Sequence, residues 1–368
     1  MRILVLAQGA CSDQAVCFGA GRTLQEHAKR WVEAGCSVRV LASHRPMSLP
    51  KEEVIDGVEI TRFGSLYDSI PTMRRLYRAQ ADWADAVVEN LLSFPLQTPL
   101  YVRRPLVVFS HHLLGALYIR AMGPVKGSIG YIFERALPLV YGRTPFLTSS
   151  HFHARQLAAR GIPANNVTVV HSSVDTSYFT PGERAPKPLL FFVGSFADGR
   201  KRVEHLVESF FVLKREFPNL ELVIAGKGGG REKALVRLIG AEPDARFVGL
   251  VNEDEKRELY RRSWVFVNPS LMEGFSLTAI EANACGTPVV AYRIPGLETL
   301  VDGETGLLAD HDNPASLVEK IRSLLGNADL RQYMGARGVG HARGFSWDTA
   351  AGKSLALLER LAGNARSM

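Results

Sequence analysis

Short, unbroken apolar runs, each followed by a longer stretch with helical spacing, recur along the chain, stop once, and start again. RILVLA at 2–7 leads into the amphipathic TLQEHAKRWVEAG, and SVRVLAS follows. A run that is apolar at every position suits a strand whose sheet is covered on both faces, and such sheets are parallel. A strand, a helix and a second parallel strand connect right-handedly, so the opening predicts a doubly wound α/β sheet. VEITRFG, PLVVFSHHL, PFLTSS and NVTVVHSSVD continue the strands, with a helical stretch around 128–139, and SIPTMRRLYRAQADWADAVVENLL reads as one long helix. Prolines then interrupt the pattern at PGERAPKP, residues 181–188, which reads as a linker. Beyond it LLFFVGS, LELVIAG, ARFVGLV, SWVFVNP and PVVAYR repeat the architecture. Two doubly wound domains facing a central cleft are expected, over residues 1–180 and 189–344. The helix at 345–368 is expected to pack back towards the first domain.

At 368 residues the chain is longer than a single core usually supports, in agreement with that division. Cys11, Cys17, Cys36 and Cys285 show no CxxC spacing, so reduced thiols in a cytoplasmic protein are expected. No stretch approaches the ~20 apolar residues of a membrane span, and the first apolar run is too short for a signal peptide. The net charge of +7 admits an anionic partner. Its basic residues are dispersed, apart from Arg74-Arg75-Arg78 and Arg200-Lys201-Arg202, and no aromatic residues interleave with them. That disfavours nucleic acid and leaves an anionic substrate, or peripheral association with the inner face of an anionic membrane. The arginines of the long helix fit either a lipid surface or a solvated face. The GxGxxG fingerprint is missing after Gly9, which argues against a dehydrogenase.

The chemistry concentrates at 268–291, NPSLMEGFSLTAIEANACGTPVVA. Glu273 and Glu281 stand eight residues apart around an apolar helical run. On a helix that spacing is about two turns, roughly 12 Å, nearly on one face. A helix N-terminus between them offers backbone N–H groups and a partial positive charge, which suit a phosphate. Acid, anion site and acid in line are arranged like a receptor for a sugar, a diphosphate and a ribose. His111 and His112 close the run PLVVFSHH, at the carboxyl end of a parallel strand where such sheets bind ligands.

These segments, with VGSF…RKR after the linker, PGLETLVDGETGLL downstream and HSSVDTSYFTP before the linker, resemble the family 4 retaining glycosyltransferases of the GT-B fold. The resemblance implies two Rossmann-like domains and transfer of a hexose-type sugar from a nucleotide-diphosphate sugar, UDP- or GDP-linked, with retention. The acceptor is a hydroxyl of a glycolipid, polysaccharide or small natural-product glycoside. It places Glu273 on the donor sugar and Glu281 on the nucleotide ribose. The backbone of Gly274, Phe275, Ser276, Leu277 and Thr278 falls on sugar and phosphates, and Gly226 near the base. Gly19, Gly21 and Arg22 match a glycine loop that approaches the diphosphate, and one of His111 and His112 matches a histidine beside the donor sugar. The family clamps the diphosphate with an Arg and a Lys; Lys201 matches the lysine, whereas Ser195 occupies the arginine's place and Arg200 is a possible substitute. Ser172-Ser173 replace the family's Asn-Gly and inherit no role. No cofactor or metal is implied, because lysine and the helix N-terminus take the metal's electrostatic part. Asp310-His311-Asp312 only imitates a DxD motif, since it leads into the helix that Asn313-Pro314 starts. The Ser195 departure alone supports a second reading, a non-catalytic nucleotide-sugar-binding or partner subunit. Closure about 181–188 is expected to exclude water from the cleft.

Overall fold

The computed structural model describes all residues except 9–18, 43–48, 64–68, 93–94, 116–118, 120–122, 198 and 367–368. The chain forms two units, Met1–Ser172 with Trp347–Met368, and Ser173–Ser346. In the first, the opening run becomes β1 (Arg2–Ala7), buried from Ile3 onward, between parallel β2 (Ser37–Ala42) and β5 (Ala86–Leu91). With β3 (Glu52–Ile55), β4 (Val58–Arg62), β6 (Leu106–Ser110), β7 (Phe146–Thr148) and β8 (Val167–Val169), the sheet runs β3-β4-β2-β1-β5-β6-β7-β8. Its helices are α1 (Gly19–Glu33), α2 (Ser69–Gln80), α3 (Pro124–Arg135), the short α4 (Leu137–Tyr141) and α5 (His151–Ala159).

Two elements differ from the sequence reading. Residues 52–62 form an antiparallel hairpin, closed by Asp56 and Gly57 at φ 51° and 77°. Two positive φ values are what an Asp-Gly hairpin turn requires. The expected long helix stops at Gln80, and its second half is β5. Asp85 accepts the Arg2 backbone N–H at 2.8 Å and starts the strand beside β1. Glu89 and Asn90, which imitate a polar helical stripe, are wholly buried in that strand. Glu89 accepts bonds from the Leu96 N–H at 2.8 Å, the Tyr141 hydroxyl at 2.9 Å and the Thr98 hydroxyl. Burial nevertheless raises its pKa.

The second unit is a six-stranded parallel sheet, β11-β10-β9-β12-β13-β14. Its strands are β9 (Leu189–Ser195), β10 (Glu221–Lys227), β11 (Ala245–Gly249), β12 (Val265–Asn268), β13 (Val289–Tyr292) and β14 (Gly306–Ala309). Around it lie α6 (Val203–Lys214), α7 (Glu232–Ile239), α8 (Glu253–Arg262), α9 (Leu277–Ala284), α10 (Pro314–Gly326) and α11 (Ala328–Ala342). Asn252 and Glu255 start α8 as a reciprocal capping box, and Asn313 caps α10 ahead of Pro314. The segment 181–188 lies within this unit: Ala185 is buried, its N–H reaches the Arg262 carbonyl at 2.9 Å, and its carbonyl accepts the Trp264 indole N–H at 2.8 Å. The chain passes between units at Ser172–Ser173 and returns at Ser346–Trp347.

The closing helix α12 (Trp347–Arg366) belongs to the first unit and packs along α1. Ser354 donates to the Ala351 carbonyl at 2.9 Å, so its oxygen accepts the Trp31 indole N–H at 3.1 Å and His27 Nδ1–H at 2.9 Å. His27 is therefore the Nδ1–H tautomer, and its Nε2 is buried beside Phe109 and Trp347 without a partner among the described residues. Burial, reinforced by Arg30, lowers its pKa from 6.5 to about 3. The unfolded chain binds this proton near pH 6.5 while the native chain does not, so the stability involved is complete above 6.5 and is lost as pH falls towards about 3. Native stability is expected to drop by about 1.4 kcal/mol per pH unit in that window through His27 alone. Urea unfolding of the wild type and of His27→Gln between about pH 7 and 5 measures the difference in slope; equal slopes refute the assignment.

Candidate active site

In the second unit the strand order reverses between β9 and β12, where Leu190 and Phe191 pair with Val265 and Phe266. Loops leaving the carboxyl ends of two such strands diverge and open a crevice. The loop after β9 carries Lys201, and the loop after β12 carries Glu273. They meet there: Nζ lies 2.5 Å from Oε1, with the side chains 15% and 12% exposed. Lys201 reaches this point alongside Gly194, its Cε within van der Waals distance of where a Cβ would stand. The backbone of the loops is tied as well, since the Leu271 N–H donates to the Arg200 carbonyl at 2.9 Å.

Asn268, the buried last residue of β12, organises the far side. Its Nδ2 donates to Glu273 Oε1 at 3.1 Å and to Ser276 Oγ at 3.0 Å, and its Oδ1 accepts the Ser270 hydroxyl at 2.8 Å. Burial pushes the Glu273 pKa up, but the Lys201 charge and the bonds from Lys201, Ser270 and Asn268 bring it below the ordinary carboxylate value. Glu273 is thus an anion with acceptor capacity to spare.

Ser276 precedes α9 at φ 63°, ψ 70°, a left-handed backbone uncommon for a residue with a side chain. Its hydroxyl is turned to Asn268, and among the described residues no side chain caps α9. The positive end of the helix is therefore left to an incoming anion. Phe275 faces inward, edge-on to Phe345 at 5.6 Å, with its carbonyl accepting the Thr299 hydroxyl at 3.2 Å. Gly274, Leu277 and Thr278 are half-buried around this end.

The geometry corrects the picture of two acids on one helix face. Glu273 sits in the loop before α9, and only Glu281 is on the helix. Glu281 is buried, with Lys256 Nζ at 3.1 Å and the Tyr260 hydroxyl at 3.0 Å, both from α8. Burial, then the Glu281 charge, holds the Tyr260 phenol protonated well above its usual range. Ser195, at the end of β9, is paired in register with Lys227 of β10, so a hydroxyl occupies the place expected of an arginine. Gly226 has a structural reason: at φ 127° it faces Gly194, whose carbonyl oxygen would lie 1.9 Å from any Cβ. Asp312, read in the sequence as part of an imitation of a DxD motif, has ion-pair partners of its own. It pairs with Arg202 at 3.2 Å and lies 3.8 Å from His205, so a cation adjoining Lys201 already occupies it.

In the first unit His111 and His112 part company. His111 is buried, and its Nε2 lies 2.7 Å from Asn90 Oδ1, which makes Nε2 the protonated nitrogen. Burial, then the neighbouring His112, lowers its pKa well below 6.5. His112 is half-buried, and the loop after it is held by Glu134, which accepts the Leu114 and Gly115 N–H groups at 2.7 and 2.9 Å and Arg160 Nη1 at 2.5 Å. Gly19, Gly21 and Arg22 form the first turn of α1 rather than a loop, with Arg22 3.6 Å from Glu26. The segment before them, with Gly9, Cys11 and Cys17, lies outside the described residues.

Asn268, Lys256 and Tyr260 went unnoticed in the sequence. A polar residue closing a buried strand is a usable signal for Asn268; α8 is so charged throughout that Lys256 carries none.

The family profile described as glycosyl transferases group 1 matches residues 174–340, and that of glycosyltransferase family 4 matches residues 19–178. The D-inositol 3-phosphate glycosyltransferase of Nocardia farcinica is 30% identical over 370 aligned residues, covering 89% of this chain and 80% of the relative. Its namesake from an Arthrobacter species is 26% identical, covering 96% and 87%. Among solved structures, sucrose-phosphate synthase from Thermosynechococcus elongatus superposes with a TM-score of 0.83 at 20% identity, over 98% of this chain and 99% of that one. Anabaena HepE in complex with UDP and glucose gives a TM-score of 0.76 at 18% identity, over 98% and 100%. At these identities the structural likeness speaks for the fold.

Proposed function

The chain belongs to the group 1, family 4 glycosyltransferases, and from that premise we propose that it moves a hexose-type sugar from a UDP- or GDP-linked donor to an acceptor hydroxyl, with retention and without a metal. The observation that carries the reading is the Lys201–Glu273 pair beside the uncapped start of α9, at the point where the strand order reverses. An arriving diphosphate competes with Glu273 for Lys201 and takes the free amides of α9. Glu273, relieved of part of that contact, accepts hydroxyls of the sugar. Each Glu281 oxygen holds one bond and keeps a lone pair, which suits the two hydroxyls of a ribose.

As the bond from the anomeric carbon to the diphosphate breaks, charge grows on the leaving oxygen, where Lys201 and the helix dipole stabilise it. The acceptor oxygen attacks from the same face, and its proton passes to the leaving phosphate. Asn268 and Ser270 orient Glu273 throughout. Of the two histidines, we assign the family's role to His112, because His111 is buried and committed to Asn90. The acceptor is a glycolipid, polysaccharide or small glycoside. UDP-glucose bound to HepE and the inositol phosphate in the relatives' names support donor and acceptor of this general chemistry.

Thermal unfolding with UDP-, GDP-, ADP- and dTDP-sugars tests the donor. The cognate one at 100-fold above its Kd adds about 2.7 kcal/mol to stability, and release of its nucleoside diphosphate in the presence of acceptor tests the transfer. If no donor shifts the midpoint, or if Glu273→Ala binds donor as well as the wild type, the reading fails.

A further inference from the structure

Helix α3 wears its amphipathicity inside out. Gly127, Gly130 and Glu134 face the unit's interior, while Val125, Ile129, Ile132 and Phe133 face outward. At 3.6 residues per turn those four side chains share one face, opposite the buried set. They are 73%, 48%, 64% and 37% exposed, and Leu139, on the following turn, is 88% exposed. Among the described residues, six of the large apolar side chains that remain exposed fall between Ile119 and Leu139, whereas the others are scattered over both units. A contiguous patch of this kind marks an interaction surface.

The charge of the stretch of sequence that carries it points to the occupant. Between Asn90 and Val174 the sequence has eight lysines and arginines and one acid, a surplus equal to the net +7 of the entire chain. That one acid, Glu134, is buried and bonded to Arg160, so this segment puts no carboxylate on the surface. Arg135, stacked over Tyr131, and Arg143 are both exposed beside the apolar face. Outward apolar side chains on a segment with exposed arginines and no surface carboxylate are the pattern of a segment lying in the headgroup region of an anionic bilayer. Helix α2 offers the contrast: Arg74, Arg75 and Arg78 are exposed, but Met73 and Tyr77 point into the core, so this is a solvated basic face. No described helix is long and apolar enough to cross a membrane.

We propose that the face Val125–Ile129–Ile132–Phe133, with Leu139, docks the protein in the plane of an anionic lipid surface. The proposal deepens the reading above, in which a lipid-borne acceptor is one of the classes, and rests on it only for the purpose of the docking. The full chain is mixed with vesicles of phosphatidylcholine alone or with added phosphatidylglycerol and sedimented. Binding is expected only to the anionic vesicles, weakening with salt. Val125→Ser/Ile132→Ser should lose about tenfold or more in vesicle affinity at an unchanged melting temperature, since these side chains are 73% and 64% exposed, and Arg74→Gln/Arg75→Gln should stay within about twofold. Absence of binding to anionic vesicles, or equal binding by the Val125/Ile132 variant, overturns the proposal. So does concentration-dependent self-association of the wild type that the same variant abolishes without any vesicle binding, because the face is then a protein interface. Nucleotide release with a water-soluble acceptor, measured without vesicles, tests the transferase reading separately.

Discussion

Replacing Lys201 with alanine lowers kcat/KM for sugar transfer by about 10²–10³-fold, equivalent to about 2.7–4 kcal/mol of transition-state stabilisation. The size follows from what the ammonium meets at each stage. In the free protein it neutralises Glu273 at 2.5 Å inside a crevice where both side chains are mostly buried. In the proposed reaction it answers charge that grows on the departing diphosphate, and the family's second cation is not at Ser195 to share the task. The loss should therefore fall on kcat as well as on KM, because the contact strengthens as the bond breaks. Lys201→Arg, which keeps the charge but places it on a planar fork, should recover only part. Arg200→Ala discriminates the alternative: a loss as deep as that of Lys201→Ala would make Arg200 the missing half of the clamp.

The same substitution has a pH signature. The folded protein holds the Glu273 pKa below its ordinary value, so the pair contributes stability above the ordinary carboxylate range, and that stability is lost as pH falls through it. Lys201→Ala removes the contribution, so its destabilisation should be present at neutral pH and shrink in acid. An activity within a few-fold of the wild type, together with parallel acid-unfolding curves, would refute the role given to Lys201.

How far the sequence disclosed this site depends on how local each determinant is. The alternation of apolar runs and helical stretches reports burial on both faces of a parallel sheet, and both sheets followed from it. The EGFSLTAIE segment was legible because loop, helix start and acids are contiguous. The boundary between α2 and β5 was not, because Glu89 and Asn90 are polar residues whose partners, Leu96, Thr98, Tyr141 and His111, lie elsewhere in the chain. Asn268 joins Glu273 to Ser276 only once β12 and α9 are folded. Asp312 meets Arg202 across 110 residues, a contact that no local motif announces. Spacing captures contacts made within one element; contacts between elements come from the sheet order.

The segment 181–188 shows the limit most clearly, and Arg184→Ala is expected to destabilise the second unit by about 3–5 kcal/mol, lowering its melting temperature by roughly 10 °C. Proline content made PGERAPKP look like a free connection. Arg184 contradicts that: its Nη1 lies 2.8 Å from the Arg261 and Ser263 carbonyls, 3.2 Å from that of Tyr260 and 2.5 Å from Thr287 Oγ1, and its Nη2 reaches the Gly286 carbonyl. The Arg261 and Ser263 carbonyls close the end of α8 and the Gly286 carbonyl lies in the turn that ends α9, so one guanidinium ties the helix that carries Glu281 to the helix whose Lys256 and Tyr260 hold it. Burial draws its pKa down to about 10, and it remains a cation at neutral pH. Alanine leaves several acceptors without a donor, at about 1–3 kcal/mol for each that water cannot reach. Lysine keeps a charge but cannot span both turns, and should restore less than half. Glu183, exposed and next to Arg184, supplies the readout. Endoproteinase Glu-C should cut after it slowly in the wild type and rapidly in Arg184→Ala, since cleavage follows the population of the opened segment. Rapid cleavage at Glu183 in the wild type, with no change in melting temperature on substitution, would return the segment to the free linker that its composition suggests.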